Sequence, residues 1–478
     1  MTENDQKQLS PLCPADFSDS ANAAKFCERA KGKILWTDSL GWLSWDGKVW
    51  QQDKHKVTEA AIQFAQDMLE DAVQIYRDSL TVEDGKTSVP TRVERYLKHA
   101  ERTRNRNGIE NFLELSKAYL HIEACNLDSR WWELNTVSGI VDLRTGTITP
   151  HNPEALHTKI CPFSPGDDGA EEWKSFLELV FSGDQDLIRY KQMRTGLAAY
   201  GKVHEESLEI DVGGGKNGKS TLNNAIFKVF GDYATAIDSA ILTLDRQQKG
   251  ASFASLRGVR FATAAELEEN ARLSVSTLKA LCSTDALVIE KKYHDPEVIQ
   301  PCHSIVLFSN YLPKVASNDN GTWRRIRVIP FNAVMPTGDK QILNYADKLV
   351  ERCGSSILKW IISGAEMAFK AGFRLEQPQA VLDAVDKYRR EEDWLQNFIA
   401  DRCLIDKANA RTGASDLYAE YRAYSAANNE YCRSRGDFSR AMAAAGFRKI
   451  NVHNRQHYVG IRVSLYRGDY INPPAVGQ

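Results

Sequence analysis

The run Gly213-Gly214-Gly215-Lys216-Asn217-Gly218-Lys219-Ser220 fits the pattern G-x-x-x-x-G-K-[ST]. In that pattern the glycines let backbone N–H groups turn inward around phosphates, the lysine reaches the β and γ oxygens, and the hydroxyl ligates Mg2+. The run therefore predicts a site for ATP and Mg2+ built from Gly213, Gly215, Lys216, Asn217, Gly218, Lys219, Ser220 and Thr221, with Ser220 as a metal ligand. A chance glycine-rich turn would lack the flanks found here. Residues 208–212 read as the strand before the loop and 220–230 as a helix whose N-terminal dipole faces the phosphates. A dinucleotide-type G-x-G-x-x-G reading fits worse, because it leaves Lys219-Ser220 unused.

Downstream residues extend the chemistry. Residues 259–264 read as a buried strand running into Ala265-Glu266, which puts Glu266 where an acid would polarise the attacking water and contact the Mg2+ shell. The alternative is a solvated helix start, since Glu268 and Glu269 follow at once. A third strand, 304–308, ends in Ser309-Asn310 and brings an amide to the edge where ligands of open α/β sheets gather. Asn310 is a candidate for holding the nucleophilic water or sensing the γ-phosphate; the alternative is a loop cap. Then Arg324-Arg325 precede the run Ile326-Arg327-Val328-Ile329-Pro330-Phe331. A guanidinium delivered from a neighbouring subunit neutralises charge developing on a transferred phosphoryl group, and one of the pair suffices. Against this stands a surface or DNA-facing role for both.

Those residues need a scaffold, and the chain divides into zones that supply one. Residues 1–165 combine a tryptophan-rich hairpin pattern (Trp36, Trp42, Trp45, Trp50, with Asp46-Gly47 as turn), helical stretches over 56–79 and 90–124, and a second hairpin at 142–148, reading as an α+β domain. The four tryptophans favour a small core over a base-stacking platform. A proline- and glycine-rich stretch at 161–169 marks a boundary. A helical lead-in over 166–204 delivers the chain to an α/β core at 205–335, where strand runs alternate with helices. Residues 336–400 read as a helical subdomain, and 401–478 end in two short strand-like runs, suggesting a winged helix.

The 478 residues carry a net charge of −2, so contact with a polyanion must come from local patches. Nine cysteines without a C-x-x-C pair argue against a zinc ribbon or a disulfide scaffold. The polar first dozen residues, and the lack of an apolar run of about 18, lead to the expectation of a cytoplasmic protein with no membrane span.

The order of elements is specific: the loop, Leu256-Arg257-Gly258 before the acidic strand, Lys279 in a helix, a basic hairpin, Phe308-Ser309-Asn310-Tyr311-Leu312-Pro313, then Arg324-Arg325 and Pro330-Phe331. This resembles the superfamily 3 helicases, and within them the ATPase part of the phage and plasmid primase-helicases related to the poxvirus primase-helicase. The resemblance implies an AAA+-like P-loop ATPase core, a homo-oligomer expected to be a hexameric ring around DNA, hydrolysis between subunits, and movement 3′ to 5′ on one strand. It carries Walker A to Lys219 and Ser220, the Walker B acid to Glu266, the following helical motif to Lys279, sensor 1 to Asn310 and the finger to Arg324 and Arg325. Ala265 stands where many relatives have a first acid, which leaves aspartate-type Mg2+ ligation without a residue. Larger relatives carry an upstream primase-polymerase domain for which the chain leaves no length, so a separate primase or polymerase is an expected partner.

For DNA, residues 287–299 read as a hairpin with a basic, aromatic tip. Lys291, Lys292 and His294 are candidates for gripping phosphates, alongside Lys279, and Tyr293 for stacking or supporting the turn. A second patch gathers Arg440, Arg448, Lys449 and Arg455, with residues 436–442 opening a recognition helix and the following hairpin as wing. In both places the alternative is a solvated or purely structural surface. A P-loop initiator or loader that binds DNA without unwinding it is the other functional reading; a small-molecule phosphotransferase lacks an acceptor-pocket pattern.

Overall fold

The computed structural model describes residues 9–83, 86–243, 253–289, 297–315, 320–335, 343–406, 410–428 and 431–464. They fall into two compact units, one of Met1–Pro313 with Arg324–Val381 and one of Lys314–Trp323 with Leu382–Gln478.

The first unit is organised by a five-stranded sheet, whose elements alone are numbered: β1 (Leu208–Val212), β2 (Ala234–Ile237), β3 (Phe261–Ala265), β4 (Ser304–Ser309) and β5 (Ile326–Pro330). All neighbouring pairs are parallel and the spatial order is β2-β3-β4-β1-β5. Phe308 pairs with Ala265 on one side and with Asp211 on the other, so the carboxyl ends of β1, β3 and β4 finish level with one another. Four helices serve the sheet: α1 (Gln185–Ala199), α2 (Lys219–Phe230), α3 (Val275–Cys282) and α4 (Tyr345–Lys370). Leu222, Ile226 and Phe230 of α2 share one core with Phe261, Val306 and Ile329 of the sheet and with Leu349, Ile357 and Ile361 of α4. Helices α1 and α4 meet backbone to backbone. A Cβ on Gly196 would lie 2.1 Å from the Ala365 nitrogen, and one on Gly364 would lie 2.2 Å from the Gln192 carbonyl. Thus α1 and α4, which the sequence reading put in a lead-in and a helical subdomain, belong to the same core as the sheet.

Ahead of this core, helices Asp19–Ala30, Lys54–Asp78, Thr91–Thr103 and Arg106–Leu120 pack around Phe26, Phe64, Tyr96 and Phe112. An antiparallel sheet of Ile34–Thr37, Gly41–Trp45 and Trp50–Gln52 lies with them. Its tryptophans are core residues: Trp42 joins the helical cluster, and Trp50 packs with Leu43 and Leu127. A further sheet, Glu133–Thr136, Gly139–Asp142 and Thr147–Thr149, is tied to the central core, as the Tyr200 hydroxyl donates to the Leu143 carbonyl at 2.9 Å.

In the second unit, helices Trp394–Arg402, Ala414–Ala427 and Arg435–Ala444 enclose Phe398, Leu417, Tyr421, Phe438 and Met442. A hairpin, Lys449–Val452 with Arg455–Val459, follows, closed by His453 and Asn454 at φ 47° and 61°. Two successive positive φ values are what a tight hairpin turn matched to strand twist requires.

Candidate functional site

The carboxyl edge of the sheet gathers the loop after β1, the residue after β3 and the residue after β4. The loop is anchored at several points. The Asn217 side chain is buried and donates to the Phe331 carbonyl at 3.1 Å, while the Lys216 carbonyl accepts from the Met335 N–H at 2.9 Å. Asn217 therefore fixes the loop to the chain leaving β5. Gly218 takes φ 83° directly before α2, and a Cβ there would lie 2.2 Å from Met335 Cε and 2.8 Å from Val180 Cγ2. Gly214 and Gly215 are exposed, and a Cβ on either would meet nothing within 4 Å. The loop is thus pinned at its far end and open along its glycines, with Ser220 exposed and Thr221 half-buried in the first turn of α2.

Lys219 points from α2 back across this loop. Its Nζ donates to the Gly213 carbonyl at 3.1 Å and to Asn310 Oδ1 at 2.6 Å, joining the end of β1 to the end of β4. Burial holds its pKa below the ordinary lysine value, against the opposing charges of Glu266 and Asp211. Glu266 is exposed and adopts φ 47°, a backbone region that non-glycine residues seldom occupy. Two bonds impose it: the Glu266 N–H donates to the Phe308 carbonyl at 3.0 Å, and its carbonyl accepts from Ser239 Oγ at 2.8 Å. The surroundings thus fix an uncommon backbone conformation for the acid at the end of β3. No helix starts at Glu266; the chain continues as an irregular segment. Ser309 Oγ accepts from the Leu267 and Tyr311 N–H groups at 3.3 and 3.2 Å, which ties the segments carrying Glu266 and Asn310 together.

Arg324 and Arg325 have different surroundings. The Arg325 side chain is 11% exposed and its Nη2 bonds Glu206 Oε2 at 2.5 Å. The Arg324 side chain is 68% exposed and lies 3.8 Å from the same carboxylate. Lys279 sits half-exposed in the last turn of α3. The hairpin is present as Leu287–Ile289 paired with Glu297–Ile299, whereas Lys291, Lys292, Tyr293 and His294 lie outside the described residues. In the second unit Arg440, Arg448, Lys449 and Arg455 are all exposed. Arg440 is paired with Asp437, and Lys449 lies 5.1 Å from the Tyr458 ring centroid.

Sequence reasoning missed the layer beneath the loop. Glu209 and Asp211 of β1 are buried, and both receive the Lys191 ammonium from α1, at 2.7 Å in the case of Asp211. Arg194 bonds Glu209 at 3.0 Å and Glu205 at 2.7 Å, and Arg327 bonds Glu205 in turn. Burial pushes Asp211 up to about 6. For Glu209, burial raises the pKa, but the charges of Lys191 and Arg194 outweigh it and hold the carboxyl below its usual value. Asn223 of α2 donates to Asp211 at 2.7 Å and to the Lys219 carbonyl at 3.0 Å, so the network reaches the first turn of the loop helix. Two acids inside a strand otherwise bound for the core were the available signal, because buried carboxylates need a cationic partner.

The class defined by these elements is a mixed α/β protein on a parallel central sheet, whose candidate site lies at the carboxyl ends of the strands. Residues 23–182 match the family described as D5 N terminal like, and residues 212–325 match a family of unknown function, DUF5906. A protein of Acanthamoeba polyphaga mimivirus named "Putative helicase" is 24% identical over 333 residues, covering 63% of this chain and 34% of that protein. One of Invertebrate iridescent virus 6, also named "Putative helicase", is 30% identical over 167 residues, 33% of this chain and 17% of that protein. An African swine fever virus protein named "Putative primase" is 23% identical over 316 residues, 60% of this chain and 32% of that protein. The chain matches about a third or less of the length of these relatives. Among solved structures, the C-terminal region of NrS-1 is similar with a TM-score of 0.41 at 14% identity, covering 66% of this chain and 88% of that one. Residues 23–182 thus resemble a D5 N-terminal-like domain, and the relatives are viral proteins named as putative helicases and primases. Among the described residues no helix is long and apolar enough to cross a membrane.

Proposed function

We propose that the chain is an ATP-driven DNA helicase or translocase of replication, working as a ring, expected to be hexameric, in which each ATP site lies between two subunits. The observation that carries this reading is the Lys219 ammonium held between the Gly213 carbonyl and Asn310 Oδ1, with Glu266 at the neighbouring strand end. A nucleotide fits there. The open glycines offer backbone N–H groups, α2 adds its N-terminal dipole, and Lys219 supplies a cation. Ser220 and Glu266 are the residues to hold Mg2+, which when bound neutralises charge on the phosphates. Glu266 polarises water and Asn310 orients it. Arg324, exposed and outside the tight pair that Arg325 makes with Glu206, is the residue to reach a neighbour's site.

The relatives' names and the exposed basic residues of the second unit, whose helices and hairpin support a winged-helix reading, support DNA contact. Lys279 and the hairpin at 287–299 are the candidate contacts in the ring. A non-unwinding loader would share the ATP site, so the test is displacement of a strand from forked DNA together with electron microscopy of the complex. Closed rings encircling one strand, with ATP-dependent displacement, are expected. ATP hydrolysis without displacement would leave the loader.

A further inference from the structure

A cavity of about 690 Å3 opens at the amino edge of the central sheet, the edge opposite the phosphate loop. Part of its lining comes from residues entering the strands, Gly201–Val203 ahead of β1, Arg257, Gly258 and Arg260 ahead of β3 and Val298–Cys302 ahead of β4, and the rest mainly from the chain before the sheet, including Cys125, Asp128 and Lys159. Strands of this length separate it from the loop by about 15 Å. Its size lies in the range of about 300–1,000 Å3 typical of small-ligand sites.

The charge is one-sided. Lys159, Lys202, Arg257 and Arg260 line the cavity against one carboxylate, Asp128, in a chain whose net charge is −2. Asp128 is already engaged, accepting from the Thr158 N–H at 2.8 Å and from its hydroxyl at 2.5 Å. Arg260 is 1% exposed. Its Nη1 donates to the carbonyls of Glu133 and Ala199 at 2.7 and 2.6 Å, and its guanidinium covers the Tyr233 ring at 4.5 Å. Its Nη2 is buried and has no hydrogen-bond partner among the described residues. A buried cation compensated only by carbonyls and a ring is costly, and it leaves a positive floor under the cavity. Lys202 is exposed at the rim, with its Nζ 5.8 Å from the Trp131 ring centroid.

We propose that this cleft is a second phosphate-binding site, separate from the loop at 213–220. A phosphate there meets Lys159, Lys202 and Arg257 above the Arg260 floor. The return strand Glu297–Ile299 of the hairpin runs into the cavity wall. The base of the hairpin thus adjoins the cleft, and the phosphodiester of a DNA strand is the occupant this placement favours. The choice of DNA rests on the proposed motor function; the phosphate chemistry does not. A free nucleotide offers the same phosphate and is distinguished by experiment.

The test uses the full chain and the double variant Lys159→Ala/Lys202→Glu, which leaves the 213–220 loop untouched. Anisotropy of a fluorescent oligo-dT, titrated against salt without nucleotide, is expected to show about tenfold weaker binding by the variant. Its salt slope should be shallower by about 0.7 for each phosphate that the variant no longer neutralises. Cys125, an exposed thiol in the cavity lining, gives an independent readout. Oligo-dT should slow its alkylation in the parent and not in the variant. If ADP, and not oligo-dT, protects Cys125, the phosphate site stands with a free nucleotide as occupant. Equal oligo affinity, equal salt slope and no protection by either probe overturn the proposal. A parent that binds oligo-dT in this way but does not hydrolyse ATP would remove the motor function and leave the cleft.

Discussion

Replacing Lys191 by methionine keeps the length of the side chain and removes the one cation shared by Glu209 and Asp211. The Lys191 side chain is 1% exposed, and its carboxylate partners are 3% and 0% exposed, so water cannot replace the missing ammonium. Arg194 still serves Glu209, which leaves Asp211 as the stranded charge. Breaking a buried ion pair from one side costs about 3–5 kcal/mol. The unit holding the network has about 370 residues, and at about 2 cal/mol/K per residue its unfolding entropy converts that cost into a midpoint lower by roughly 4–7 °C. The assay is a thermal melt of parent, Lys191→Met, Asp211→Asn and the double variant. The double variant has no stranded carboxylate, so it should recover about 2 kcal/mol relative to the sum of the single changes. Asp211→Asn keeps an acceptor for Asn223 and should itself be mild. A Lys191→Met melt within about 1 °C of the parent, or strictly additive single changes, would refute the network.

The same carboxyl makes stability depend on pH. Its ordinary value is 3.8 and its folded value about 6, so the folded state holds the proton more tightly. Its contribution is present below about 4 and is lost as pH rises through about 6, with a span of up to about 3 kcal/mol. The melting difference between parent and Asp211→Asn should therefore favour the parent more at pH 5 than at pH 7, and a flat difference would count against the raised carboxyl. Gly218→Ala places a methyl against Met335 at a positive φ, costing about 1–2 kcal/mol before the clash. Nucleotide binding should weaken, with partial rescue by Met335→Ala; normal affinity in the single variant would contradict the tight approach. Arg325→Ala should lower the melting midpoint by loss of its pair with Glu206, whereas Arg324→Ala should change stability by no more than about 0.5 kcal/mol. Melts of the two variants decide this.

Much of the site's scaffold could be read locally. The glycine loop, the strand before it and the strand ending at Ser309 are each specified by a few adjacent residues, and the structure has strands at Leu208–Val212 and Ser304–Ser309. The turn at Asp46-Gly47 joins Gly41–Trp45 to Trp50–Gln52, as its residue types dictate. What escaped the sequence depends on partners far along the chain. Lys191 and Asp211 meet only because α1 lies across β1, and nothing in the spacing of the helix announces a buried lysine. Likewise Gly196 and Gly364 acquire their meaning only when α1 and α4 touch. The difference between Arg324 and Arg325 is set by Glu206, a residue with no local relation to either.

The most direct measurement is ATP hydrolysis by Lys219→Ala, by Arg324→Ala and by an equimolar mixture of the two. If a site takes Lys219 from one subunit and Arg324 from its neighbour, each variant alone is nearly inactive. Random mixing then restores a lysine facing an arginine at about a quarter of the interfaces, so about a quarter of the parental rate should return. Full activity in Arg324→Ala, or a mixture no more active than its components, would contradict a site shared between subunits.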